Sequence, residues 1–219
     1  MSATKHSALL ASYLQQLQTR PLATKAVTTG ILCFLQEILG SNIAGVPPKA
    51  HKDAPLLLQY LARKHVDIRA AKMFIYGLLV SAPVSHYLMA LLQKAFAGKT
   101  SSGAKLGQLL AQLLIVAPVQ TATYLASLAV IGGANSVDEV VRTVKVGFLP
   151  VIRVSWVTTP TAMVFAQKFV PMELWTPFFS FVSFAVGTIF NVRIKAIRLA
   201  AAKKQALKDK AAEAEKKEE

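Results

Sequence analysis

At 219 residues the chain is long for one ordinary domain and short for two, and only 16% of it is charged, against roughly 25% in soluble domains. Hydrophobic residues make up 53%, so a soluble fold would lack the charge to cover its surface, whereas a bilayer solvates apolar side chains directly. The net charge of +14 sits between apolar stretches and after Asn191, where juxtamembrane Lys and Arg are expected, and no nucleic-acid-binding motif accompanies it.

Residues 1–20 suggest an amphipathic helix with Leu9, Leu10, Tyr13, Leu14 and Leu17 on one face, closed by Arg20-Pro21. The first thirty residues contain no Asp or Glu and three basic residues, a weak likeness to a mitochondrial targeting segment that leaves the organelle open. The stretch 22–46 is apolar apart from Lys25, which can snorkel, and Glu37, which must face a bundle interior; Pro47-Pro48 ends it. A bilayer core about 30 Å thick needs roughly 20 apolar residues. Spans are expected over 22–46, 73–93, 106–132 and 174–194. An amphipathic surface helix is expected over 55–71. The segment 139–169 carries Arg142, Lys145 and Arg153, with Pro150 and Pro160 expected to break it, and reads as a kinked spanning helix, a re-entrant piece or an interfacial helix. The fold class is therefore an all-α membrane bundle of four or five transmembrane helices with amphipathic flanking helices. The membrane domain covers 21–198 and a charged tail 199–219, the tail being either a solubilising helix or a site for a protein partner.

Four spans put both termini and the 94–105 loop on one side, with fifteen basic residues against ten elsewhere, which points to cytosolic termini. The single Cys33 allows no internal disulfide and no Cys-based metal site, and reads as a small buried hydrophobe.

No P-loop, dinucleotide turn, His-Glu-x-x-His or nucleophile elbow occurs, so no enzyme activity and no cofactor is expected. His6, His51, His65 and His86 lack partners at metal-ligand spacing. The spans instead hold uncharged polar residues, among them Gln36, Ser85, Gln112, Gln120 and Asn191, and prolines at Pro83, Pro118 and Pro177. Two readings stand side by side: hydrogen bonds between helices, or a polar lumen. The lumen candidates are Glu37, His86, Gln112, Gln120 and Arg153, intramembrane polar groups that need a non-lipid environment. A homo-oligomer could complete a ring of them. The expected partners are the lipid bilayer, with basic flanks near anionic headgroups, and no nucleic acid.

Several motifs resemble the Mpv-seventeen and 22-kDa peroxisomal membrane protein family. Tyr13, Leu14, Leu17, Pro21, Thr24, Lys25, Thr28 and Gly30 follow its opening Y-L-x-x-L-x-x-x-P-x-x-T-K-x-x-T-x-G. Tyr76-Gly77 with Ala82-Pro83-Val84-Ser85-His86-Tyr87 is similar to its G-P-x-x-H-x-[FWY], Ala82 replacing Gly. Lys105 with Ala117-Pro118, then Trp156, Pro160 and Val170-Pro171, extend the likeness to residue 171. Departures include Gln108 and Gln112 near a missing acidic residue, Met163 for Gln, Ala166-Gln167 for Asn-Phe, Trp175 for Arg, and Ile189 to Val192 for the final aromatic signature. The resemblance implies four spans in an organelle membrane and a weakly selective channel for small polar metabolites. It favours the peroxisome over the mitochondrial inner membrane; the alternative role is a non-conducting structural or scaffolding protein.

Overall fold

The computed structural model describes residues 8–47, 59–60, 66, 68–98, 101–171 and 174–218. Among them six long helices carry the fold: α1 (Ala8–Thr19), α2 (Pro21–Ile43), α3 (Ile68–Ala95), α4 (102–131), α5 (Val137–Phe169) and α6 (Trp175–Glu218). Four are long and apolar enough to cross a membrane: α2, α3, α4 from Leu106, and α6 as far as Ile197. The surface helix expected over 55–71 lies mostly outside the described residues, and its last residues, from Ile68, open α3.

Helix ends follow local chemistry. Pro21 starts α2 where a missing N–H costs nothing. The chain leaves α2 through Gly45 at φ 65°, with the Val46 N–H bonded back to the Ser41 carbonyl, a left-handed cap that favours glycine. Ser136 caps α5 by accepting from the Glu139 N–H at 3.2 Å, while the Glu139 carboxylate accepts from the Asn135 N–H at 2.9 Å, and Asp138 and Glu139 complement the positive end of the helix dipole. On α1 the half-buried side is Leu10, Tyr13, Leu14 and Leu17, and Thr24 of α2 ties back to the Gln16 carbonyl at 3.0 Å.

Two prolines inside spans are accommodated by a change of helical register. π-helical turns at Gly77–Ser81 and Gln112–Val116 precede Pro83 and Pro118, and the N–H groups of Ala82 and Ala117 bond to the carbonyls of Gly77 and Gln112. The two sites share one string, Leu-Leu-x-x-Ala-Pro-Val, at 78–84 and 113–119. The residues that follow, Ser85 and Gln120, hydrogen-bond to each other at 3.1 Å, so the repeat places equivalent positions of α3 and α4 face to face. In this register the carbonyl that Pro118 leaves without a partner belongs to Leu113, and the Trp156 indole N–H of α5 donates to it at 2.9 Å. Pro177 falls in the first turn of α6, where it removes no helical bond.

Pro150 and Pro160 do not interrupt α5, which is continuous for 33 residues. Each proline removes one backbone bond, and packing along α4 holds the rest. Trp156 of α5 reaches Leu113 of α4, and Gly147 would place a Cβ 2.9 Å from Leu125. These contacts run antiparallel. So do the α2–α3 contacts, where a Cβ on Gly77 would lie 2.7 Å from the Thr29 carbonyl oxygen, and the α5–α6 contact of the Phe165 and Phe178 rings at 5.7 Å. By contrast α2 and α6 run parallel, Gln36 meeting Ser183 and Ser41 meeting Lys195. The bundle is thus an up-and-down series of five helices closed by a parallel pair. Its small core is Cys33, Met73, Tyr76 and Leu128 on one side and Leu125, Val151 and Phe190 on the other. Val27, Ile31, Leu35, Leu39 and Ile43 form an exposed apolar stripe on α2, the outside of a protein made for lipid.

With α5 running the length of α4, Pro21 and Lys195 lie at opposite ends of the bundle. Among the described residues, 44–47, 68–72, 132–145 and 193–218 meet at the tail's end and hold thirteen Lys and Arg; 8–25, 94–98, 101–105 and 168–171 hold five. That bias predicts a cytosolic tail and an α1 on the far side. In a Cys33→Ser background, an impermeant maleimide on intact organelles should label Lys208→Cys at once and Ser12→Cys only after detergent. Equal labelling of both before detergent would contradict an α5 that crosses the bilayer beside α4.

Candidate functional site

The polar centre of the molecule is built where α2, α3 and α6 converge. Gln36, Glu37, Gly40 and Ser41 form one side of α2, and Gly187, Asn191 and Lys195, spaced four apart, form one side of α6. Two glycines let the helices approach. A Cβ on Gly40 would stand 2.8 Å from Asn191 Cγ, and a Cβ on Gly187 would stand 2.5 Å from Gln36 Nε2. Each helix therefore seats one amide side chain over the glycine of the other, the small-residue contact that membrane helices use to pack closely. Gln36 Nε2 donates to the Ser183 and Phe184 carbonyls at 3.3 and 3.2 Å, and Asn191 Nδ2 to the Gln36 carbonyl at 3.0 Å.

Glu37 lies at the heart of this contact, 1% exposed. Its Oε1 is 2.8 Å from Lys195 Nζ and 3.0 Å from Arg69 Nε, and its Oε2 accepts from Asn191 Nδ2 at 3.1 Å. Lys195, 5% exposed, also donates to the Glu37 carbonyl at 3.1 Å and to Ser41 Oγ at 2.6 Å, which gives each of its three ammonium protons an acceptor. Arg69 reaches in from the first turn of α3 and remains about one-third exposed on its outer side. One carboxylate thus ties three helices together. Burying ions costs several kcal/mol each, and the arrangement offsets this only because both oxygens and all three ammonium protons are paired.

The other expected polar residues lie elsewhere. Gln120 bonds Ser85, joining α4 to α3. His86 is half-buried with its ring edge-on to Tyr87 at 5.6 Å, and seventeen residues separate it from Arg69 along α3, about 25 Å at 1.5 Å per residue. Gln112 is half-buried and opens the second π turn. Arg153 is exposed, while its neighbours Val151 and Ile152 are buried. The five candidates therefore do not meet in one place. Lys195, Arg69 and Ser41 were absent from the sequence-based set. The signal for Lys195 was its spacing of four from Asn191 and eight from Gly187, masked by the basic tail that begins around it.

With this geometry in view, comparison with known proteins places the chain. Residues 129–191 match the Mpv17 / PMP22 family model. A Woronin body membrane protein of Aspergillus fumigatus is 47% identical over 196 residues, 89% of this chain and 80% of the relative. The chain belongs to the Mpv17 / PMP22 family. A Woronin sorting complex protein of Neurospora crassa is 44% identical over 90% of this chain, which spans 60% of that relative's length. The peroxisomal membrane protein PMP22 of Arabidopsis thaliana is 24% identical over 89% of this chain and 94% of its own. No solved structure matches. The family model covers α5 and the first part of α6, and so includes Gly147, Trp156, Gly187 and Asn191.

The glycine contact carries a direct prediction. Gly40→Val or Gly187→Val should lower the thermal midpoint in detergent and cost about 1–3 kcal/mol through overpacking. Gly103→Val, with nothing within 4 Å of its Cβ position, should leave the midpoint within a degree or two of a helix-propensity effect.

Proposed function

We propose that the protein is a multi-pass organiser of a peroxisome-type membrane, in the branch represented by the Woronin body proteins, and that its polar core joins helices rather than conducting solute. The observation that carries this reading is the saturation of Glu37: its two oxygens hold Lys195, Arg69 and Asn191, leaving side-chain pairs where a pore would need water. Gln120 is paired in the same way with Ser85, and Arg153 is on the outside of the bundle. The names of the two fungal relatives, a membrane protein of the Woronin body and a protein of a sorting complex, support this reading.

The second reading, a weakly selective channel for small polar metabolites, draws on the family resemblance and on the presence of charged groups within the spans. Efflux from liposomes separates the two. Vesicles holding the purified, fully inserted protein should retain a size series of neutral and charged solutes as well as protein-free vesicles do, and inserted Glu37→Gln, though less stable, should leave the retention unchanged. Size-limited leakage that changes with Glu37→Gln would overturn the organiser reading.

A further inference from the structure

The outer face of α5 is not a surface made for lipid alone. Val146, Leu149, Arg153, Trp156 and Val157 are exposed along it, so an Arg interrupts an apolar stripe. Its depth follows from the contacts on either side. Gly147 packs on Leu125 and Trp156 bonds Leu113, which puts Arg153 opposite the middle of the α4 span Leu106–Ile131. Half of a bilayer core is about 15 Å, more than an Arg side chain can reach to a headgroup. An intramembrane cation in that position needs an anion at the same depth.

The four described apolar spans offer no such anion. Within the four apolar spans the one acidic residue is Glu37, and its carboxylate is already held by Lys195, Arg69 and Asn191. A second copy would bring the same saturated Glu37. Beside Arg153, one to three turns further along, α5 and α6 leave an apolar groove of about 330 Å³ between Val157, Thr161, Phe165, Phe178 and Val182, which would admit the side chains of a neighbouring helix.

We infer that the outer face of α5 docks a transmembrane helix of a different protein, one that carries an Asp or Glu at mid-bilayer depth to pair with Arg153. Charge selects this partner and the groove seats it. The inference deepens the organiser reading by naming how a partner would be held in the membrane, and its test does not depend on whether vesicles leak.

The probe is a synthetic transmembrane helix of Leu and Ala with one Glu at its midpoint and a fluorescence quencher beside it. It is added to liposomes containing the full chain with Trp175→Phe, so that Trp156, 43% exposed on the face in question, is the remaining tryptophan. The Glu peptide should quench Trp156 at about three- to thirtyfold lower peptide density than the same helix with Leu at its midpoint, the range expected for one interhelical polar contact. Arg153→Leu should abolish the difference and Arg153→Lys should keep it. Because Arg153→Leu removes a charge from an exposed apolar stripe, it should not impair folding. Equal quenching by the Glu and Leu helices would mean a bare lipid-facing surface and overturn the proposal. So would Trp156 shielded from every peptide together with self-cross-linking of Val157→Cys, made in Cys33→Ser, which would assign the face to a second copy.

Discussion

A carboxylate buried among membrane helices has to be neutralised by its own protein, and the placement of Glu37 organises the rest of this one. Its helix presents Val27, Ile31, Leu35, Leu39 and Ile43 outward, so Glu37 is turned inward with Gln36, Gly40 and Ser41. Two cations arrive from different helices, Arg69 from the start of α3 and Lys195 from the end of the apolar part of α6. Those two contacts fix α3 antiparallel and α6 parallel to α2. Gly40 and Gly187 then become necessary, because only without side chains do they leave room for Asn191 and Gln36. The lock also sets where α6 leaves the bundle, since Lys195 lies just before the exposed Lys203 and Lys204 of the tail.

A second constraint acts on the backbone. In lipid every carbonyl needs a partner, and a proline within a span removes one. The Leu-Leu-x-x-Ala-Pro-Val repeat meets this twice with a π turn, and the carbonyl released at Leu113 is met by Trp156. That hydrogen bond and the Gly147–Leu125 contact hold α5, with four basic residues and two prolines, along the length of α4. The ion lock joins α2, α3 and α6; the proline repeat joins α3, α4 and α5.

Much of the fold class was legible because an apolar run of about 20 residues matches the thickness of a bilayer core and is poorly suited to water. Glu37 was legible as an inward group for the same reason: lipid would not tolerate it. What sequence patterns left hidden were partnerships between distant residues. Lys195 reads as part of the basic stretch that follows Asn191, and Arg69 as part of a charged connecting segment, until the fold brings both to Glu37. Pro150 and Pro160 read as breaks because local rules contain no α4 to support the helix around them. Arg153 is the opposite case. Its charge argued for an interior position, and it lies outside, at a depth where charge is costly. Residues that violate a local rule in this way are expected at functional or strained sites.

The family relationship and the geometry together describe a membrane protein whose polar groups bind its own helices, with one charged face left over. The claim that rests beneath all of this is that Glu37 and Lys195 act as a unit. A double-mutant cycle of Glu37→Gln, Lys195→Met and the pair, read by thermal or denaturant unfolding of the full chain in detergent, tests it most directly. Glu37→Gln should destabilise by about 3–5 kcal/mol because it strands buried Lys195, Lys195→Met by less because Arg69 still faces the carboxylate, and the double change should cost less than the sum by about 2 kcal/mol or more. Additive effects within about 0.5 kcal/mol would mean that the two residues do not act together, and would contradict the account.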